Sequence, residues 1–142
     1  EERTPIAMVP SESGFFGVAA DGTVLGRLGG GSVNLPIITG VDRNSVLAGN
    51  KGVSELVIAA GILKGLPRGV RDLVSEVNVV DRDCLKVISR SLVECHLGGP
   101  GNLPEKLDVV ATLLPRLDSI SSQAYTIIDV SNPKRPVVRK LP

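Results

Sequence analysis

The chain has 142 residues, with 16 basic against 15 acidic side chains and a formal charge of +1, so no global field steers it to nucleic acid or an anionic membrane. Hydrophobic residues make up 42%, charged residues 22% and aromatics 2%. That is a globular balance rather than a disordered one, but Phe15, Phe16 and Tyr125 are too few for a nucleic-acid stacking platform. The length suits one domain, which buries about 70% of its unfolded surface without a disulfide or metal, on a core of Val, Leu, Ile and Ala.

In chain order, Pro5 to Val9 reads as a short apolar strand. Gly14 to Ala20 and Thr23 to Leu28 flank Asp21-Gly22, a hairpin signal of the type I′ kind, which needs positive φ. Gly29 to Ser32 is a loop. Leu35 to Ile38 is a strand, with Pro36 marking an edge or a strand start. Asp42 to Lys51 is turn-rich. Ser54 caps a helix carrying Leu56, Val57, Ala59, Ala60 and Leu63, with Gly65 past its end. A second, short helix follows Pro67 with Val70, Leu73 and Val74. Strands are expected over Glu76 to Val80, Cys84 to Ser89 and Leu92 to Leu97, and Gly98 to Gly101 breaks them. A third helix has Pro104 near its first position and a buried stripe of Leu107, Val110, Ala111 and Leu114. Pro115 is expected to end it. Strands over Tyr125 to Val130 and Pro136 to Lys140, joined by Ser131-Asn132-Pro133, close the chain. The expected fold is α+β: a mainly antiparallel sheet, about three helices on one face, and an exposed C-terminal edge strand.

No run approaches the roughly 20 apolar residues of a membrane span, and there is no signal-peptide pattern. The chain begins at Glu1 rather than a methionine and is expected to be a processed product or an excised fragment. Cys84 and Cys95 are too few for a disulfide framework. A loop at Ser89-Arg90-Ser91 sets Val87 opposite Val93, Lys86 opposite Glu94 and Leu85 opposite Cys95. That register puts the two cysteines on opposite faces, where they stay free thiols, with Cys95 buried.

The search for chemistry returns little. His96 is the one histidine and lacks companions at metal-ligand spacing. Gly30-Gly31-Ser32 is followed by Val33 and Asn34, which does not close a nucleophile elbow. Gly49-Asn50-Lys51-Gly52 lacks the phosphate-loop spacing. Asp81 and Asp83 read as solvated turn acids, with weak calcium binding the alternative. No catalytic, metal or cofactor-binding residue and no cofactor is expected. The chain reads as a binding domain and not an enzyme.

Several short motifs occur in a particular order: Glu2-Arg3-Thr4-Pro5-Ile6-Ala7, the Asp21-Gly22 hairpin, Leu35-Pro36-Ile37-Ile38-Thr39-Gly40, Leu97-Gly98, Lys106-Leu107, Ile128-Asp129-Val130-Ser131 and Pro136-Val137-Val138. Together they resemble the FtsQ/DivIB family of bacterial cell-division proteins over essentially the whole chain. Ser131 departs from the pattern, standing where the family usually has arginine. The resemblance implies that residues 1–10 end a truncated POTRA domain and that 11–142 form the β domain. It implies a parent protein with a single membrane span, this part lying on the extracytoplasmic face at the division septum. It implies a non-enzymatic divisome scaffold that binds FtsB/DivIC-type and FtsL-type proteins, and through them sits near septal peptidoglycan synthases. No nucleic-acid partner is implied. The contact it implies is β-strand addition at the C-terminal edge, through Tyr125, Ile127, Asp129, Pro136, Val137, Val138, Arg139 and Lys140.

The residues themselves point the same way. A last strand has no successor to cover it, so its free N–H and C=O groups are a template for another chain. Lys134, Arg135, Pro136, Arg139 and Lys140 around Val137-Val138 read either as a guarded edge or as a groove for an acidic strand. The other class of function is a recognition or adaptor domain of a secreted multi-domain protein.

Overall fold

A computed structural model describes residues 4–11, 14–28, 34–42, 54–120 and 125–141. Nine strands and three helices form there: β1 (Ala7–Ser11), β2 (Gly14–Val18), β3 (Val24–Arg27), β4 (Ile37–Thr39), α1 (Ser54–Gly65), α2 (Arg68–Arg71), β5 (Val74–Asn78), β6 (Leu85–Ser89), β7 (Val93–Gly98), α3 (Leu103–Ile120), β8 (Tyr125–Asp129) and β9 (Val137–Leu141). The expected loops at 29–32 and 42–51 lie outside the described residues, apart from Asp42. The strands make one sheet in the order β3-β2-β1-β4-β5-β6-β7-β8-β9. The element order is the expected one. The sheet, however, is mixed, because β1/β4, β4/β5 and β7/β8 pair parallel. The last two follow from the helices: α1 with α2, and then α3, carry the chain back so that each following strand runs the same way. β1 crosses the expected domain boundary at residue 10 and pairs with β2 and β4.

Alternate residues of the strands face the helices. Val9, Val18, Ile38, Val77, Val87, Cys95 and Ile128 are fully or almost fully buried there, against Leu56, Ile62, Leu63, Leu107, Val110 and Leu114. The other face of the sheet is half-exposed and more polar. Helix α3 packs on β7 and β8.

Four local expectations are corrected. Gly22 (φ +89) is the residue with positive φ in the β2–β3 turn, and Gly22 N–H donates to Ala19 O while Ala19 N–H donates to Thr23 O. The loop therefore has three residues with glycine in the left-handed position, not a two-residue type I′ turn. The β6–β7 hairpin repeats this design with Leu92 (φ +67). Its loop is Arg90-Ser91-Leu92, because the buried Ser89 Oγ accepts the N–H groups of Ser91 and Val93 (3.3 and 3.0 Å). Val87 consequently opposes Cys95, and Lys86 opposes His96. The slip is two residues, so every side chain keeps its face. Cys84 is exposed, Cys95 is buried, and neither is in a disulfide.

Helix α2 stops at Arg71, so Leu73 and Val74 leave it, and Val74 opens β5. Leu73 O instead accepts Arg90 N–H at 2.8 Å, tying this corner to the second hairpin. Pro115 does not end α3; it lies inside it. Pro115 faces solvent, where water can satisfy the carbonyl it leaves unpaired. Leu114 before it is fully buried and Leu117 after it packs on the core, so continued burial outweighs the proline's cost of about 3 kcal/mol.

Candidate functional site

The sheet ends at β9, which pairs antiparallel with β8 in unbroken register: Tyr125↔Leu141, Thr126↔Lys140, Ile127↔Arg139, Ile128↔Val138 and Asp129↔Val137. Two faces follow. Val138 and Lys140 share the helix side with buried Ile128 and Thr126. Val137 and Arg139 share the open side with Asp129 and Ile127. Val137 and Val138 are 50% and 42% exposed, and Tyr125 is 40% exposed. The expected residues Tyr125, Ile127, Asp129, Val137, Val138, Arg139 and Lys140 therefore lie together on two neighbouring strands, and Pro136 immediately precedes β9.

The direction of the edge's main-chain groups follows from one hydrogen bond. Val130 N–H donates to His96 O at 2.9 Å. In the parallel β7/β8 ladder, the even-numbered residues of β8 are then the ones bonded to β7. The odd-numbered ones, Tyr125, Ile127 and Asp129, bond to β9 and exchange with Leu141, Arg139 and Val137. Alternation turns the N–H and C=O of Val138 and Lys140 outward, together with the C=O of Pro136.

The β8–β9 turn is held by side chains. Asp129 Oδ1 accepts Ser131 Oγ–H (2.6 Å) and Ser131 N–H (3.0 Å), and Asn132 Oδ1 accepts Lys134 N–H (3.2 Å). The Ser131 hydroxyl bond, more than anything else, lowers the Asp129 pKa below its ordinary 3.8. The Ser131 N–H and the charges of His96 and Arg139 add to this, and partial burial opposes it. Ser131, at the departure from the family pattern, thus closes the turn locally.

Beside this edge, on the open face, runs a polar row, of which sequence reading anticipated the Lys86–Glu94 proximity but not His96 or Asp129. Glu94 Oε1 lies 2.6 Å from His96 Nε2 and 3.5 Å from Lys86 Nζ. His96 stands between Lys86 and Asp129 in register. The alternation of Glu94 and His96 along β7 already put both on the open face; what the sequence did not show was that Asp129 of β8 lies beside His96. A cavity of about 410 Å³ opens at the end of the row, among Asp83, Cys84, Lys86, His96, Asp129 and Ser131. Among the described residues, no three His, Cys, Asp or Glu side chains group to hold a metal, and no helix is long and apolar enough to cross a membrane.

Residues 7–131 match the family model described as cell division protein FtsQ/DivIB, C-terminal. The chain belongs to the FtsQ/DivIB family. It is 31% identical over 140 residues to the cell division protein FtsQ of Anaeromyxobacter sp. (strain K), covering 95% of this chain and 47% of that protein. It thus spans about half the length of that relative. Among solved structures it is similar to the major extracytoplasmic domain of the cell division protein DivIB from Geobacillus stearothermophilus, with a TM-score of 0.54 and 20% identity over 84% of this chain and 97% of that one. That likeness supports the FtsQ/DivIB fold. The family is one of cell-division proteins and not a known enzyme family. The match to the family model stops at Ser131, before β9.

Proposed function

We propose that this FtsQ/DivIB domain is a non-enzymatic scaffold of the divisome. The free edge of β9 takes up a strand from an FtsB/DivIC-type partner, with an FtsL-type protein in the same subcomplex. The domain would act on the extracytoplasmic face of the membrane at the septum, on a parent protein carrying a single span and, before residue 11, a POTRA domain. The observation that carries the reading is the state of the last strand. β9 has unbroken register with β8, no neighbour on its other side among the described residues, and outward main-chain groups at Val138 and Lys140. Strand addition needs such an edge.

The test is a titration of the partner's extracytoplasmic segment by calorimetry, with a thermal melt of each variant. Val138→Pro removes an outward donor and should weaken binding at least tenfold with little change in melting. Val137→Pro removes a donor used within the sheet and should lower the melting temperature. A folded Val138→Pro variant that binds like the parent would show that β9 is not the docking edge.

A further inference from the structure

We infer that the strand taken up at β9 carries an apolar residue next to two consecutive acidic residues, the apolar one opposite Val138 and the acids opposite Arg139 and Lys140. This rests on the edge-docking reading and adds the chemistry of the occupant.

Charge is the first observation. Residues 125–140 hold four basic side chains, Lys134, Arg135, Arg139 and Lys140, against one acid, Asp129; the rest of the chain holds twelve basic residues against fourteen acidic ones. The last hairpin of a nearly neutral protein thus carries a local positive excess, with Arg139 and Lys140 on the edge strand itself. Asp129, held ionised by two hydrogen bonds from Ser131, offsets one of the four and leaves the segment with a positive excess. Arg139 and Lys140 are exposed, and among the described residues neither forms an ion pair with an acid.

Alternation along the strand is the second. Arg139 projects on the open side with Ile127, and Lys140 on the helix side with Thr126. Cross-strand neighbours share a face. An acid opposite Arg139 therefore lies on the open side, and the next residue, opposite Lys140, lies on the helix side. A strand selected only for amphipathic packing would alternate polar and apolar there. Two acids in succession are a distinct signature. Val138 sits on the helix side, where its core-facing neighbour Ile128 is fully buried but Val138 is 42% exposed. An apolar partner residue opposite it extends that apolar row.

Proline and charge together disfavour a second copy of this chain as the antiparallel occupant. Antiparallel self-pairing centred on Val138 sets Lys140 against Pro136, which has no N–H to give. Centred on Arg139 or on Lys140, it opposes like charges across the new pair, which is destabilising. Proline also marks where pairing ends, so the occupant engages chiefly Val138 and Lys140.

The probe is a random twelve-residue peptide library displayed on phage, selected against the 142-residue chain. Enriched peptides should carry an aliphatic residue beside two adjacent Asp or Glu residues. Synthetic copies should bind at least tenfold more weakly to the R139E/K140E variant, and peptides with the acids changed to lysine should recover on it. Binding should be lost on Val138→Pro. On the parent chain, saturating peptide should slow amide exchange at Val138 and Lys140, a readout that does not depend on any variant folding. Enriched peptides that fail on Val138→Pro but show no acidic pair would overturn this inference and leave edge docking standing. Peptides indifferent to Val138→Pro, without protection of those two amides, would overturn both, as would a selection that enriches nothing.

Discussion

At one end of the sheet β3 offers four residues, and at the other β9 offers five. Leu28 N–H donates to Phe15 O and Ala19 N–H to Thr23 O, which turns the main chain of Val24 and Arg27 outward on β3. That edge is interrupted: the β2/β3 register shifts between Gly17 and Val18, so Leu25 is extra, and Gly26 sits at φ +107. A bulge and a left-handed glycine twist an edge away from pairing. β9 has no shift, and its two valines are exposed. Both strands border the same sheet, yet one is blunted by its own backbone geometry while the other is guarded by charge and by Pro136 just before it. Charge repels indiscriminate partners and admits a complementary one.

The largest effect should come from Leu114→Ala. Leu114 is fully buried on the helix that packs β7 and β8, so the loss should be about 2–5 kcal/mol in denaturant unfolding. A loss under about half a kcal/mol, as for a surface residue, would mean that α3 does not brace the β9 side. Next come the prolines. Val138→Pro should weaken partner binding at least tenfold, about 1.4 kcal/mol, while Val24→Pro and Arg27→Pro on the other edge leave affinity unchanged. Equal effects at both edges would remove the distinction.

Gly26→Ala should cost about 1–2 kcal/mol for holding an L-residue at positive φ, although open space surrounds the glycine. No cost would mean that the β3 bulge is not imposed by that backbone. The smallest effect is electrostatic. The Asp129 pKa is lowered in the folded state, so its contribution is complete above about pH 4, the unfolded carboxylate value, and is lost as pH falls through the lower folded value. Asp129→Asn should flatten the stability profile below about pH 4 and leave its shape near neutrality. An unchanged acid limb in urea unfolding would remove Asp129 from the turn's energetics.

Much of this was legible from residue pattern. Alternation marked the buried faces of β6 and β7, helical spacing marked α1 and α3, and the order of elements emerged complete, as did the family. The candidate residues Tyr125 to Lys140 came from the family resemblance; the pattern alone showed two apolar segments flanking a turn near the end of the chain. His96 and Glu94 were missed as part of that neighbourhood, since their row exists only when β6, β7 and β8 lie side by side.

Local signals could settle the periods, because those depend on neighbours within a turn or a few residues. The hairpin register escaped them: a slip of two leaves the face of every side chain unchanged, so the pattern is identical for both registers, and the Ser89 hydroxyl selects one. Pro115 misled for the complementary reason. Its local cost is real, but the burial of Leu114 and Leu117 against a distant sheet exceeds it. The parallel pairing of β7 with β8 likewise depends on where α3 delivers the chain. The outward face of β9 was the most distant consequence of all. Whether Val138 offers its N–H to solvent depends on which residues of β8 are already committed to β7, and that is known only once three strands from two parts of the chain are assembled.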